Sequence, residues 1–171
     1  MRIELDKLEN GKGGFAHTYQ PEELDLEDDR ITLVGPAEVS GTVRRSGAEV
    51  VVSGRLESLV SAECDRCLKP IEVPVATRFK LEYITGQDYE SSHAAELTAD
   101  DLAVSVFDGE SIDVDELVKE QILLFVPDRM LCREDCKGIC STCGADLNAG
   151  ECKCAPTDVD PRWEALKRLK E

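Results

Sequence analysis

Apolar and polar residues alternate with a period of two over a long central part of the chain, beginning near Ile31. Val39, Gly41 and Val43 share one phase, RRSGAE interrupts, and Val50, Val52, Leu56 and Val60 resume it. This predicts two long strands meeting at a Ser46-Gly47 turn. Gly41 and Gly54 carry no side chain to pack, and inside strands such residues mark a bulge or sharp bend. The second strand runs into Cys64. After CDRCLKP the alternation returns at Ile71, Val73, Val75, Phe79, Leu81 and Tyr83, which places the CDRC motif at the tip of a β-hairpin.

The flanking segments read less regularly. Residues 2–30 are mixed: Ile3, Leu5 and Leu8 suit a short strand, and PEELDLEDD is too acidic and short for a helix. Residues 85–101 lack periodicity and read as an acidic loop, while LAVSVF, Asp108-Gly109 and SIDV read as a short hairpin. A helix follows, with Asp113 as N-cap and Glu116 three residues on, in a variant of the capping box. Leu117, Gln121 and Leu124 share one face of it, with Val118, Ile122 and Phe125 alongside, and Pro127 ends it. Near the C-terminus, Asp160 as N-cap and Pro161 at the first helical position start a helix whose apolar stripe is Trp163, Leu166 and Leu169.

These patterns predict an α+β fold: an antiparallel β-rich core with a few helices and a C-terminal zinc-knuckle segment. Residues 1–127 form the β-rich part with the hairpin-tip C-x₂-C and one helix. Residues 128–156 form a cysteine-rich, zinc-binding segment, and residues 157–171 a C-terminal docking helix, Trp163 being its anchor. No apolar stretch follows Met1, and none approaches the ~18 residues of a membrane helix. The expectation is a cytoplasmic protein without membrane contact.

Charge narrows the partners. The 171 residues carry a formal net charge of −16, and residues 81–120 hold twelve acids against Lys119 alone, a local net of −11. A chain this acidic does not coat nucleic acid nonspecifically, because that affinity comes mainly from neutralised phosphates. Bases gather around the cysteines instead, at Arg66, Lys69, Arg129, Arg133, Lys137 and Lys153.

Eight cysteines are the main chemical signal. Cys64 and Cys67 stand in CDRC, and Cys132, Cys136, Cys140, Cys143, Cys152 and Cys154 crowd into twenty-three residues. Thiols stay reduced in the cytoplasm, so metal is favoured over a disulfide framework. Four thiolates fill the tetrahedral shell of Zn²⁺, and eight suggest two structural zinc ions. Cys140-Ser-Thr-Cys143-Gly144 reads as a rubredoxin-like knuckle, which Cys152 and Cys154 complete after the return loop ADLNAGE; their C-x-C spacing is the tighter bite. The remaining four, Cys64, Cys67, Cys132 and Cys136, would staple the hairpin tip to the segment after the helix if they share an ion, closing a loop of about sixty-five residues. Buried free thiols are the plain alternative. An iron–sulfur cluster takes the same ligands, though these spacings match no ferredoxin pattern.

No catalytic constellation accompanies the cysteines. His17 and His93 lie in polar stretches and read as solvated loop residues, and no glycine-rich phosphate loop is present. Closed Cys₄ sites are structural because they leave no open coordination position.

Four segments together resemble the YceD family, also called DUF177, the large ribosomal RNA subunit accumulation proteins. They are CDRCLKPIEVPV, VDELVKEQILLFVP, CREDCKGICSTCGADLNAGECKC and DPRWEALKRLK, in that order, covering most of residues 55–171. The chain looks like a cysteine-rich member. Other members lack part of the second cluster, which implies that the site from Cys140 to Cys154 is dispensable for the shared role. The resemblance implies a non-enzymatic part in 23S ribosomal RNA accumulation or processing and in ribosome assembly. Implied partners are a large-subunit precursor or its RNA and a basic ribosomal protein, which the acidic stretch would hold by complementary charge. Arg66, Lys69, Arg133 and Lys137 are the expected RNA contacts. Two other classes compete. A metal-dependent ribonuclease would gather carboxylates such as Asp100, Asp101, Asp108, Glu110, Asp113 and Asp115 around Mg²⁺. A thiol/zinc redox sensor would release zinc on oxidation.

Overall fold

A computed structural model describes residues 1–92, 104–154 and Arg162. Strand β1 (Arg2–Glu4) leads through a 3-10 turn to β2 (Lys12–Tyr19), β3 (Ile31–Leu33), β4 (Ala37–Ser46), β5 (Glu49–Glu63) and β6 (Pro70–Thr85). Helix α1 (Gly86–Ser92), strands β7 (Val104–Phe107) and β8 (Ser111–Asp113), and helix α2 (Val114–Phe125) follow. The fold is α+β. Six strands form a sheet ordered β2-β4-β5-β6-β7 with β3 paired to β5, and β1 and β8 form a separate two-stranded sheet.

The predicted alternation is what builds this sheet. Val50, Val52, Leu56, Val60 and Ala62 of β5 all point one way and are buried, as are Ala37, Val39 and Val43 of β4. Because side chains on a strand alternate faces, a single one-residue slip would expose the whole set. Register therefore holds along the full length, from Ser46 opposite Glu49 to Glu38 opposite Glu57, and from Val50 opposite Tyr83 to Glu63 opposite Pro70. Helix α2 packs on β5, β6 and β1, burying Val114, Leu117, Val118 and Ile122. Asp113 caps it, its carboxylate accepting from the backbone N–H groups of Asp115 and Glu116. Leu117 and Leu124, read as sharing one face, differ in burial: Leu117 is buried and Leu124 is 71% exposed.

Gly41 and Gly54 do not make a bulge; the ladder passes through them without an extra residue. They face each other in a row that runs Phe15, Gly41, Gly54, Phe79 across four strands. A methyl group on Gly54 would sit 2.7 Å from the Phe79 ring and 2.5 Å from the Ser40 carbonyl. The glycines thus leave room for two rings and for a close backbone approach, which a strongly coiled sheet requires.

Three other expectations are corrected. Residues 86–92 of the expected loop form α1, whose start is fixed by Thr85: its Oγ1 accepts from the Asp88 N–H at 3.3 Å and donates to the Asp88 carboxylate at 2.5 Å. The segments around Asp108-Gly109 make a turn but no hairpin, because β7 runs parallel to β6 whereas β8 pairs with β1. His17 lies on β2, exposed, with its ring 4.4 Å from that of Tyr19, and is therefore a strand residue. His93, Asp100, Asp101 and the expected helix with Trp163, Leu166 and Leu169 lie outside the described residues. Among the described residues no helix is long and apolar enough to cross a membrane.

Candidate metal centres

The β5–β6 hairpin ends in a knuckle. The Cys64 N–H donates to the Lys69 carbonyl and the Leu68 N–H to the Cys64 carbonyl, both at 2.9 Å, with Leu68 at a φ of +58°. The same pattern recurs at Cys140-Ser-Thr-Cys143-Gly144. There the Cys140 N–H donates to the Ala145 carbonyl and the Gly144 N–H to the Cys140 carbonyl, again at 2.9 Å, with Gly144 at +72°. Both turns point their two sulfurs to the same side. In the first knuckle a leucine holds the left-handed position that glycine usually takes.

The segment after α2 is bound directly to the first knuckle. Ile139 donates its N–H to the Arg66 carbonyl at 3.1 Å, and the Arg66 guanidinium donates to the carbonyls of Cys136 at 2.5 Å and Glu134 at 3.4 Å. These contacts bring Cys132 and Cys136 to the hairpin tip. Gly138, at a φ of +78°, has to be glycine because a Cβ there would lie 2.8 Å from the Arg66 carbonyl.

Two tetrads result. The Sγ atoms of Cys64, Cys67, Cys132 and Cys136 lie within 4.8 Å of one another, and so do those of Cys140, Cys143, Cys152 and Cys154. Cys64 and Cys136 are 3.9 Å apart at sulfur, Cys67 and Cys132 3.6 Å. A tetrahedron of Zn–S bonds of about 2.3 Å has S···S edges of about 3.8 Å, whereas a disulfide needs about 2.05 Å. The donor set and its spacing fit a tetrahedral thiolate-bound ion. The first tetrad is the more enclosed: Cys64, Cys67 and Cys136 are buried and Cys132 is exposed, while the second has no buried member, Cys143 being exposed and the others intermediate. Ile71 packs against both the first tetrad and the sheet core, so the metal-binding tip is continuous with that core.

The thiols are tuned in opposite directions within each set. Cys64 is drawn down to about 6, first by the Cys132 N–H and, against burial, by the N–H groups of Arg66 and Cys67. Burial, then the sulfurs of Cys136, Cys67 and Cys64, push Cys132 up to about 12. In the second set the Cys143 and Thr142 N–H groups bring Cys140 to about 6, and Cys154 is pushed to about 12, first by Cys143. Backbone amides thus favour the first thiolate, and its charge opposes the last. A divalent cation removes that opposition.

The four bases expected to meet RNA have these positions. Arg66 is half-buried and faces the carbonyls just described. Lys69 pairs with Asp146 at 2.6 Å while its side chain stays 58% exposed. Arg133 pairs with Asp135 at 3.3 Å and donates to the Asn148 amide oxygen at 2.8 Å. Lys137 is exposed. The carboxylates named for a nuclease have other partners: Asp108 accepts from the N–H groups of Glu110 and Ser111, Asp113 caps α2, and Asp115 accepts from Tyr19 at 2.5 Å. Among the described residues, the two cysteine tetrads are the groups of three or more ligating side chains close enough to share an ion. Sequence reasoning missed Asp146 and Asn148, which tie the tetrads together. Both look like ordinary turn residues in ADLNAGE.

Comparison with known proteins places the chain. An uncharacterized protein of Mycobacterium tuberculosis (strain H37Rv) is 32% identical over 173 residues, covering 99% of this chain and 81% of that protein. YlbN of Bacillus subtilis is 27% identical over 156 residues, covering 91% and 86%. The large ribosomal RNA subunit accumulation protein YCED homolog 1, chloroplastic, of Arabidopsis thaliana is 22% identical over 157 residues, covering 80% of this chain and 49% of its own length. No solved structure matches. The family described as large ribosomal RNA subunit accumulation protein YceD matches residues 52–170, from near the start of β5 through both tetrads, and the chain belongs to that family.

Proposed function

We propose that this chain is a non-enzymatic, zinc-stabilised factor in the accumulation and processing of large-subunit (23S) ribosomal RNA, acting as an adaptor to a basic ribosomal protein or a pre-ribosomal particle. The observation that carries this reading is the family match together with two closed four-thiolate sites. A closed site leaves zinc no position for water or substrate, so the metal would hold the architecture and perform no chemistry.

An acidic face supports the adaptor role. Glu116 and Glu120 stand one turn apart on the exposed side of α2, and with Asp113 and Asp115 they line a groove shared with Leu26, Leu123 and Leu124, in which Glu27 is paired with Lys119 at 2.6 Å. A basic amphipathic segment suits that surface, its apolar side on the leucines and its charges on the rim. Around the knuckles, Lys69, Arg133 and Lys137 remain exposed enough to meet phosphate. The Arg133–Asp135 pair is exposed on both sides, and exposed pairs yield readily to a stronger anion.

The test is co-sedimentation of the purified protein with large-subunit precursors across a salt series. Binding at low salt that weakens steeply with added salt, and that falls in a Glu116→Lys, Glu120→Lys variant, is expected. Failure to bind any ribosomal component at low salt would overturn the adaptor reading.

A further inference from the structure

We propose that the two tetrads are a linked pair in which Asn148, carried by the return loop of the second tetrad, positions and protects the metal-bound Cys136 of the first. This rests on the zinc reading above.

Asn148 lies in the loop between Cys143 and Cys152, so an ion in the second tetrad would close the loop that carries it. Its side chain reaches the first tetrad. The Nδ2 group donates to Cys136 Sγ at 3.4 Å and to Asp146 Oδ1 at 2.8 Å. Its Oδ1 accepts from Arg133 Nη2 and from the Lys137 N–H, both at 2.8 Å. Two acceptors on one side and two donors on the other fix the amide orientation; the flipped amide would satisfy none of them. The loop is anchored as well. Asp146 Oδ1 accepts the Asn148 N–H at 2.9 Å, its Oδ2 pairs with Lys69 at 2.6 Å, and the Leu147 N–H donates to Gly138 at 2.9 Å. Lys69 belongs to the first knuckle, so the second site's loop grips the first site at two points.

An N–H directed at a ligating sulfur stabilises the thiolate against protonation and dissociation, and losing such a partner typically weakens a metal site 10–100-fold. Exposure sets the order of events. The second tetrad, which has no buried cysteine where the first has three, exchanges its ion first, and while it is empty the loop loosens and withdraws Asn148 from Cys136. Coupling of this kind is reciprocal, so an ion in the first tetrad strengthens the second by the same factor.

The experiment is exchange of bound zinc for isotopically labelled zinc supplied in excess, which keeps the second tetrad of wild type loaded, on protein whose zinc content has first been measured by elemental analysis. Wild type should release one ion quickly and one slowly. Asn148→Ala should still bind two ions, with the slow release about 10–100-fold faster. Asn148→Asp keeps the size and the acceptor but removes the donor to sulfur, so it should behave like Asn148→Ala; a wild-type rate there would show that loop packing, not the bond to Cys136, matters, and would overturn the proposal. Cys143→Ser should accelerate the slow ion similarly, and the double variant Cys143→Ser, Asn148→Ala no further. Slow release within twofold of wild type in Asn148→Ala, or additive effects in the double variant, would also overturn it. Fewer than two ions in the starting protein would overturn the zinc reading itself, which elemental analysis separates from failure of the linkage.

Discussion

Asp65 and Met130 exchange two hydrogen bonds across 65 residues of sequence: the Asp65 N–H donates to the Met130 carbonyl at 2.8 Å, and the Met130 N–H donates to the Asp65 carboxylate at 2.6 Å. The hairpin tip is therefore pinned to the chain after α2 by the protein itself, beside the place where a metal would do the same. Met130 is buried, so its N–H has no ready replacement partner. Asp65→Ala should destabilise the fold by about 1.5–3 kcal/mol, the range for hydrogen bonds to a charged group. Urea unfolding of the zinc-loaded protein measures it; a loss below about 0.5 kcal/mol would show that the junction holds without this pair.

The two tetrads should differ in what they stabilise. Cys67→Ser removes a ligand that joins β5–β6 to the segment after α2, and should lose one zinc and lower the thermal midpoint by more than ~10 °C. Cys143→Ser should also lose one zinc but shift the midpoint by no more than about half as much, since its tetrad spans residues 140–154 and reaches the first site through its loop. Elemental analysis and calorimetry check both. Equal global destabilisation would contradict this division of labour.

Gly54 tests the ring-over-glycine row. The nearest obstacle to a Gly54→Ala methyl is the Ser40 carbonyl at 2.5 Å, closer than the Phe79 ring. Overpacking should cost about 1–3 kcal/mol. Adding Phe79→Leu should not restore stability, because the backbone contact remains. Recovery to wild-type stability in the double variant would place the strain in the ring instead.

Asp108 predicts a pH dependence. The Glu110 N–H, then that of Ser111, hold its carboxyl below the ordinary range. A depressed carboxylate stabilises the fold fully above its unfolded value of about 3.9 and loses that contribution as pH falls through the lower folded value. The stability difference between wild type and Asp108→Asn should be constant from pH 7 to 5 and shrink below pH 4. A difference that grows on acidification would contradict the assignment.

Much of this architecture is legible in the amino-acid sequence, for physical reasons that differ by element. The β4–β5–β6 meander is plain because one buried face forces a strict period of two. Strand β2 is hidden: Gly13 and Gly14 blank its phase, and Phe15 and Tyr19 are its two buried positions. Asp108-Gly109 announces a turn correctly but cannot announce partners, and β7 and β8 go to different sheets. The Thr85-x-x-Asp88 spacing does signal the start of α1, outweighed in the sequence by the polar run around it. Cysteine spacing divides the thiols into the two sets that the fold brings together. It says nothing of Asn148, whose importance comes from what stands opposite it in space.

The sequence distance between the halves of the first tetrad also has a meaning in time. Cys67 is synthesised 65 residues ahead of Cys132, which meets it in the folded chain. At ordinary elongation rates of roughly 5–20 residues per second, that interval is about 3–13 s. During it the hairpin tip holds two thiols and no second pair, a half-built site open to oxidants and to stray metal. The knuckle's own backbone hydrogen bonds need no residue beyond Lys69, so the nascent chain can hold those two thiols in place until the rest arrives.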